Sequence, residues 1–270
     1  MTAKRARRVA IIGYGAIGKV LVAEMMKDPD GPRLVGALVR SNRGEVQAAL
    51  GPGVPVVTDI DALIALIPDI VVECAGQPAL MAHAGRLLDT GIDVMAISTG
   101  ALAAPGVLED WTARARRNGA RLIAPAGAIA GLDGLGAHKR AGLTSVVYSS
   151  TKPPLAWRGT PAEQIVDLEG LREPAVFFEG SAREAALAYP KNANLAATVA
   201  LAGMGLDETR VRLVADPSAT GNTGRIEATS AVGTLTVENA GLAGANPKTS
   251  ASTAYSLAYA LANEAAHFVI

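Results

Sequence analysis

The first segment whose residue types and spacing suggest ligand binding is a glycine-rich loop near the N-terminus, Gly13-Tyr14-Gly15-Ala16-Ile17-Gly18. In a G-x-G-x-x-G loop the first glycine permits a tight turn, the second lets the backbone approach a pyrophosphate, and the third allows close packing of helix on strand. Amides at the start of the helix then face the phosphate charge. A turn with incidental glycines is the alternative. The β-rich run Arg8–Ile12 before the loop and the helical pattern after it favour dinucleotide binding.

The end of the next predicted strand, Leu34–Val39, indicates which dinucleotide binds. A site specific for NAD usually places Asp or Glu at this point to hold the ribose hydroxyls, whereas this sequence continues Arg40-Ser41-Asn42-Arg43. The planar guanidinium group suits a 2′-phosphate. Arg40, Ser41 and Arg43 therefore predict that NADP is accepted, with NAD also tolerated. A solvated turn between strand and helix is the alternative interpretation.

The elements that position this loop alternate between strand and helix up to about residue 125, which predicts a parallel sheet covered on both faces. Beyond it, Arg225–Ser230 and Thr234–Glu238 predict an antiparallel hairpin. We therefore predict an α/β protein: an N-terminal Rossmann domain with a doubly wound parallel sheet, followed by a second, α+β substrate domain. The expected bounds are residues 1–125 and 126–248, with a terminal helix in 249–270 packing back on the first domain.

Composition excludes several classes of function. Lys plus Arg and Asp plus Glu each number 25, so no net charge attracts nucleic acid or an anionic membrane. No apolar run reaches the roughly 18 residues of a transmembrane helix. Cys74 is the one cysteine, and no His, Cys, Asp and Glu spacing predicts a metal site. Cys74 ends an apolar strand, so a buried structural thiol is favoured over a nucleophile. We expect a soluble, cytoplasmic protein.

Longer segments carry a family resemblance. The sequence contains Ala124-Pro125-Ala126-Gly127-Ala128-Ile129-Ala130-Gly131-Leu132-Asp133, Thr151-Lys152-Pro153-Pro154 with Trp157, Tyr189-Pro190-Lys191-Asn192-Ala193-Asn194, and Ala245-Asn246-Pro247-Lys248-Thr249-Ser250. Together with the glycine loop and Glu73-Cys74-Ala75, they resemble the L-aspartate dehydrogenase family nearly from end to end. The resemblance implies a homodimer that oxidatively deaminates L-aspartate with NAD(P) to iminosuccinate, which water converts to oxaloacetate and ammonia, or runs the reverse reductive amination.

The resemblance also assigns roles by motif position. Ala128 and Asn194 match the family's cofactor contacts on the nicotinamide side, and Ala75 is expected to contact the cofactor as well. Asn246, Lys248, Thr249 and Ser250 match the signature before the last helix, where we expect a dicarboxylic amino acid or imine to bind. The Lys248 ammonium and the two hydroxyls suit a carboxylate clamp. The same segment could instead only turn and cap the last helix, or do both.

One departure from the family concerns the expected acid–base group. Family members resemble one another at an Asn-x-His segment shortly after an Ala-Asp-Pro turn, and that histidine is the proposed acid/base. This chain has Ala215-Asp216-Pro217 and then Asn222-Thr223-Gly224, so Gly224 stands where the imidazole is expected. Glycine has no side chain to transfer a proton.

Three accounts of Gly224 stay open. Water in an enlarged pocket could relay protons, another group such as Lys248 or Lys152 could do so, or the enzyme could reduce a different imine or carbonyl carboxylate. An alternative of another class is a catalytically silent protein that binds nicotinamide cofactors as a sensor.

Overall fold

The computed structural model describes residues 6–242 and 250–268, and the chain divides into two compact units. The first unit comprises Met1–Ser98, Gly106–Pro125 and Ala254–Ile270, and the second comprises Thr99–Pro105 and Ala126–Thr253. Two bounds differ from those predicted. Residues 99–105 belong to the second unit, because they form a 3-10 helix, Thr99–Ala103, that is hydrogen-bonded to Asn194. The segment that returns to the first unit starts at Ala254 and not at residue 249.

The first unit is built on a parallel sheet whose strands are short. They are β1 (Arg8–Ile12), β2 (Arg33–Leu38), β3 (Val56–Val57), β4 (Ile70–Glu73), β5 (Asp93–Ala96) and β6 (Leu122–Ile123). The strand order is β3-β2-β1-β4-β5-β6. The chain leaves β1 on one side and later returns to β4 on the other, so the loops after β1 and β4 meet at a topological switch point, where open α/β sheets bind ligands. The predicted Rossmann fold is confirmed.

Helices connect these strands. They are α1 (Ala16–Met25), α2 (Arg43–Leu50), α3 (Ile60–Ile64), α4 (Gln77–Asp89) and α5 (Val107–Asn118). Local chemistry sets their ends: the Asp59 carboxylate accepts from the amides of Asp61 and Ala62 to start α3. In α5, acidic residues occupy the first turn and arginines the last, which complements the helix dipole.

The second unit is built on a mixed sheet. Its strands are β7 (Leu143–Lys152), β8 (Ala175–Ser181), β9 (Arg210–Ala215), β10 (Thr223–Ser230) and β11 (Gly233–Ala240), in the order β11-β10-β7-β9-β8. The β10–β11 pair is the predicted antiparallel hairpin, which is confirmed. Strand β8 was not predicted, because a bulge between Val176 and Phe178 interrupts the alternation of buried and exposed residues that marks a strand.

Three helices of the second unit share one core with the inner face of this sheet. They are α6 (Leu132–Arg140), α7 (Ala182–Ala188) and α8 (Asn194–Ala202). Leu135 of α6 and Val199 of α8 lie in the same buried cluster as Tyr148 of β7. A reciprocal capping box between Ser181 and Glu184 starts α7. The inner face of β7 and β10 is therefore covered by helices, and it carries the polar residues described below.

The last helix, α9 (Ser252–Ala265), belongs almost entirely to the first unit. Leu257 and Leu261 are fully buried in the core around β1 and β4. An ion-pair network fixes the end of α9, because Glu264 contacts the guanidinium groups of both Arg7 and Arg121, which also contact the buried Asp93 carboxylate. No helix in the described ranges is long and apolar enough to span a bilayer.

Candidate functional site

The glycine loop has the geometry that a dinucleotide requires. Gly13 has φ +91°, and a Cβ atom built on it would lie 2.8 Å from Ala75 Cβ. A Cβ on Gly18 would lie 2.5 Å from the Gly13 carbonyl oxygen, whereas a Cβ on Gly15 meets nothing within 4 Å. The outer two glycines are thus required by the protein's own packing. The middle one leaves open space at the start of α1, where no side chain caps the first amides and an anion is favoured.

A cavity of about 550 Å³ lies beside this loop, within the first unit. The ends of β1, β2 and β4 and the start of α4 line it; among its residues are Gly13, Tyr14, Arg40, Ser41, Asn42, Thr58, Ala75, Pro78, Ala79 and His83. The Nδ1 atom of His83 is buried with no hydrogen-bond partner among the described residues. A cavity of this size at the switch point is suited to the adenosine part of a dinucleotide.

The three residues predicted to bind a 2′-phosphate have different surroundings at the end of β2. Arg40 and Ser41 are exposed and line the cavity. Arg43 lies at the start of α2, and its Nε donates 2.8 Å to the carbonyl oxygen of Val56. Arg43 is therefore partly engaged in joining α2 to β3, and Arg40 is the better placed guanidinium for a phosphate at the cavity.

Replacing Arg40 with alanine is expected to weaken NADPH binding by about 10-fold, or about 1.4 kcal/mol, with little effect on NADH. The reason is that the 2′-phosphate, which only NADPH carries, loses its charged partner. Fluorescence titration with both cofactors measures the difference. Arg33→Ala, at the opposite end of β2, is the matched control. Equal losses of NADPH and NADH affinity, or none, would contradict this role for Arg40.

The carboxyl end of β4 carries a buried acid with a structural role. Glu73 is fully buried, and its Oε1 accepts from the amides of Ala75 (2.6 Å) and Gly76 (2.5 Å) just before α4. Its Oε2 accepts from the Ser98 amide at 3.2 Å. Burial, and to a smaller extent the Glu73 carboxylate, raise the pKa of the neighbouring Cys74 thiol far above its usual value. A protonated thiol is a poor nucleophile, so covalent catalysis at Cys74 is not supported.

In the second unit, Gly224 lies in a polar row across the inner face of the sheet. It pairs with Ser150 of β7 on one side and with Asn239 of β11 on the other. The Asn239 amide donates 2.7 Å to the carbonyl oxygen of Ala128. Directly opposite residues on one face are close neighbours. The position where the imidazole was expected is therefore flanked by a buried hydroxyl and a carboxamide.

The space next to Gly224 is filled by its neighbours. A Cβ atom on Gly224 would lie 3.0 Å from Ile129 Cδ1 and 3.1 Å from the Tyr148 hydroxyl. Tyr148 is buried and hydrogen-bonds with Ser150; burial raises the pKa of Tyr148 well above its usual value, and the bond to Ser150 offsets this only in part. An enlarged pocket at this point, one of the three accounts of Gly224, is thus not supported.

Lys152 lies two residues after Ser150, and its side chain is on the same face of β7. It is buried, its Nζ donates 3.1 Å to Asn192 Oδ1, and it lies 4.8 Å from the centroid of the Trp157 ring. Burial lowers the pKa of Lys152 to about 8. The amine therefore changes protonation state in a range useful for proton transfer.

Asn194, the first residue of α8, is held by the 3-10 helix of residues 99–103. Its Oδ1 accepts from the Gly100 amide at 3.1 Å and its carbonyl oxygen from the Thr99 hydroxyl at 2.7 Å. Ala128 is buried in the loop that precedes α6. The residues matched to nicotinamide-side contacts thus both lie in ordered backbone of the second unit.

The segment matched to the substrate clamp is covered only in part. Asn246, Lys248 and Thr249 lie outside the described residues. Ser250 is half-buried, and its carbonyl oxygen accepts from the Thr253 amide at 3.2 Å as α9 begins. The predicted role of this segment stays a prediction.

Two family models together match most of the chain. Residues 133–264 match the family model described as aspartate dehydrogenase, C-terminal, and residues 13–125 match the homoserine dehydrogenase NAD-binding domain. The chain is 46% identical over 262 residues to the curated L-aspartate dehydrogenase of Cupriavidus taiwanensis, covering 95% of this chain and 97% of that protein. The chain belongs to the L-aspartate dehydrogenase family.

Further members of the L-aspartate dehydrogenase family support this assignment. The Pseudomonas aeruginosa protein of that name is 44% identical over 264 residues, covering 95% of this chain and 97% of that protein. The crystal structure of aspartate dehydrogenase from Thermotoga maritima has a TM-score of 0.74 at 27% identity and covers 98% of this chain and 100% of that one. The chain is thus an NAD(P)-dependent oxidoreductase, and the predicted family and cofactor class are confirmed.

Sequence reasoning missed several residues that surround Gly224 in this family member. Tyr148, Ser150 and Asn239 were not singled out, although Val146, Tyr148, Ser150 and Lys152 alternate along one strand. That period of two could have placed Ser150 and Lys152 on one face. Their proximity to Gly224 depends on strand register, which the sequence does not state. Within residues 6–242 and 250–268, no group of three or more His, Cys, Asp and Glu is arranged to hold a metal ion.

Proposed function

We propose that the chain catalyses the oxidative deamination of L-aspartate to iminosuccinate, which water converts to oxaloacetate and ammonia, and the reverse reductive amination. One observation carries the proposal: 46% identity over 95% of the chain to a protein named L-aspartate dehydrogenase. The Rossmann unit and the buried polar row of the second unit are consistent with a redox cofactor and a small polar substrate.

The residues of the first unit fit a nicotinamide dinucleotide. The open space at Gly15 and the uncapped amides of α1 would hold the pyrophosphate. The cavity beside them, with Arg40 and Ser41 at its rim, would hold the adenosine part of NADP or NAD. When bound, the nicotinamide supplies the hydride acceptor or donor. We assign the other loop residues, Tyr14, Ala16, Ile17 and Ala75, to this site as well.

The residues of the second unit would orient substrate and cofactor. We assign Ala128 and Asn194 to the nicotinamide side, and Asn246, Lys248, Thr249 and Ser250 to the substrate carboxylates. Support comes from the match of these motifs to the family and from the hydrogen bonds that fix Asn194 and Ala128. Lys248 provides a positive charge and the hydroxyls provide donors, which is what a dicarboxylate requires.

The decisive experiment measures NADPH and NADH oxidation with oxaloacetate and excess ammonium, with the wild-type chain and with Gly224→His. We expect turnover by the wild type. Because Tyr148 and Ile129 crowd position 224, Gly224→His should lower stability by about 1–3 kcal/mol, as overpacking does. A silent wild type with both cofactors would overturn the proposal.

Gly224 keeps two alternatives open, because the expected imidazole is absent. If the wild type is silent and Gly224→His is active, the scaffold is aspartate-like and Gly224 marks a change of substrate to another imine or carbonyl carboxylate. If both are silent on a broad panel of such substrates yet bind NADPH, the chain is a nicotinamide sensor.

We also propose that the protein is a cytoplasmic homodimer. The face of the second sheet opposite its helices is polar and includes the Arg225–Glu227 and Arg212–Glu179 ion pairs. Such a face could associate with a second copy through charged and polar contacts. Light scattering that gave the mass of one chain would refute the dimer.

A further inference from the structure

Lys152 is unusual because it is buried without a carboxylate partner in the described part of the chain. Its Nζ donates to the neutral Asn192 Oδ1 and faces the Trp157 ring, and it is 6% exposed. Buried lysines generally require a pairing charge or become neutral. A neutral amine that donates one N–H to a carboxamide oxygen keeps its lone pair for another proton.

Two features connect Lys152 with residues of the second unit that were assigned to the site. Its partner Asn192 lies two residues before Asn194, whose backbone and side chain are fixed by Thr99 and Gly100. On the other side, Ser150 separates Lys152 from Tyr148 on β7 and pairs directly with Gly224. Lys152 thus lies between the segment assigned to the nicotinamide side and the position where the family resemblance implies an acid–base group.

We propose that Lys152 is the catalytic base of this enzyme, and that its Nζ takes the proton from the substrate α-ammonium before hydride transfer. Asn192 is the positioning residue that orients the amine. This inference rests on the proposed function, since it needs an amino-acid substrate. It replaces the missing imidazole without requiring water in an enlarged space, which the contacts of Gly224 do not provide.

The Nζ lone pair of neutral Lys152 takes one proton, and the N–H electron pair stays on the substrate nitrogen as a neutral amine. The Cα–H bond then breaks with its electron pair leaving as hydride to the oxidised cofactor, while the nitrogen lone pair forms the C=N bond of the iminium. In the reverse direction, protonated Lys152 returns the proton to the product amine.

The described groups around Lys152 do not offset the effect of burial on its pKa. Ala215 of β9 is its direct neighbour, and the nearest carboxylate by register, Asp216, accepts from the Ser218 amide and hydroxyl. Tyr189, whose pKa burial raises, packs edge-on against Trp157. Desolvation alone accounts for the lowered pKa of Lys152.

The test compares aspartate oxidation by wild type, Lys152→Met and Lys152→Arg across pH. Wild-type kcat/KM should rise with pH through about 8, where Lys152 becomes neutral. Both variants should lose about 100-fold or more in kcat, the usual size of general-base catalysis, while NADPH affinity is retained. If Lys152 contributed only a positive charge, Lys152→Arg would stay active. Lys139→Met, an exposed lysine of α6, is the matched control and should match wild type.

Two further measurements keep the result interpretable. Asn192→Asp places a carboxylate beside the amine, which favours the charged form and should shift the rising limb of the profile upward by about one pH unit or more. Separately, the unfolding free energy of wild type should rise with pH between about 8 and 10.5, because the unfolded chain binds more protons there. Lys152→Met should lose that rise.

The outcomes separate the two proposals. Wild-type turnover with an unchanged pH profile in Lys152→Met would overturn the role of Lys152 and leave the proposed function standing. Loss of turnover in Lys152→Met with rescue by added methylamine would support it. A wild type that does not oxidise aspartate with either cofactor overturns both.

Discussion

Gly18→Ala is expected to abolish NADPH binding and to lower the free energy of unfolding by about 3 kcal/mol. The added Cβ would lie 2.5 Å from the carbonyl oxygen of Gly13. Gly18 lies in the first turn of α1 and Gly13 in the turn between β1 and α1, so α1 must move away from the sheet to relieve the overlap. Because the first amides of α1 are the proposed pyrophosphate site, their displacement should remove that site as well. Urea unfolding and fluorescence titration measure the two effects.

The matched control is Gly15→Ala, three residues earlier in the same loop. Its Cβ meets nothing within 4 Å, and Gly15 has φ −82°, which alanine adopts readily. Stability should therefore change by less than about 1 kcal/mol. NADPH affinity should nevertheless fall at least about 10-fold, because the methyl group occupies the space through which the pyrophosphate approaches. Wild-type stability in Gly18→Ala, or wild-type affinity in Gly15→Ala, would contradict this division of roles.

Asp93→Ala is the second large expected effect, at about 3 kcal/mol of unfolding free energy. The Asp93 carboxylate is buried and contacts the guanidinium groups of Arg7 and Arg121, and it accepts from the Arg121 amide at 2.7 Å. Its removal leaves Arg7, whose side chain is only 19% exposed, with Glu264 as its remaining acidic partner in the network. Breaking a buried pair costs more than the pair contributes, since one charge stays buried.

Asp110→Ala is the control for Asp93→Ala, because it also removes a carboxylate paired with an arginine in the first unit. The Asp110–Arg114 pair lies on the surface of α5, where solvent and salt screen such interactions. We expect almost no change in its urea midpoint. A loss for Asp93→Ala no larger than that for Asp110→Ala would show that the network around α9 contributes little to stability.

The parts of the site that were predictable from sequence are those set by neighbours along the chain. The glycine loop depends on residues 13–18, the strand before it and the helix after it, so its role follows from local spacing. Arg43 was assigned with Arg40, but its Nε binds the Val56 carbonyl, 13 residues away in sequence. That partner depends on how α2 packs on β3, which local spacing does not specify.

The environment of Gly224 shows the same limit at longer range. Ser150 and Asn239 reach it through strand pairing, and Tyr148 and Ile129 through packing on the inner face. A shift of one residue in register would turn each strand residue to the other face of the sheet. Strand β8 was missed for a related reason, because its bulge removes the alternating pattern that identifies strands. The motif match located Gly224, and only the fold identified its neighbours.

The first unit consists of three separate segments of the chain, and this affects the order in which the protein folds during synthesis. Its last segment begins at Ala254, and Leu257 and Leu261 fill the core against β1 and β4. During synthesis, the strands of the first unit therefore emerge before Ala254 does, and they lack part of their interior until the segment with Leu257 and Leu261 has followed. The second unit, nearly continuous from residue 126 to 253, can close before that moment. The strands of the first unit thus reach their final packing only after the second unit has been translated.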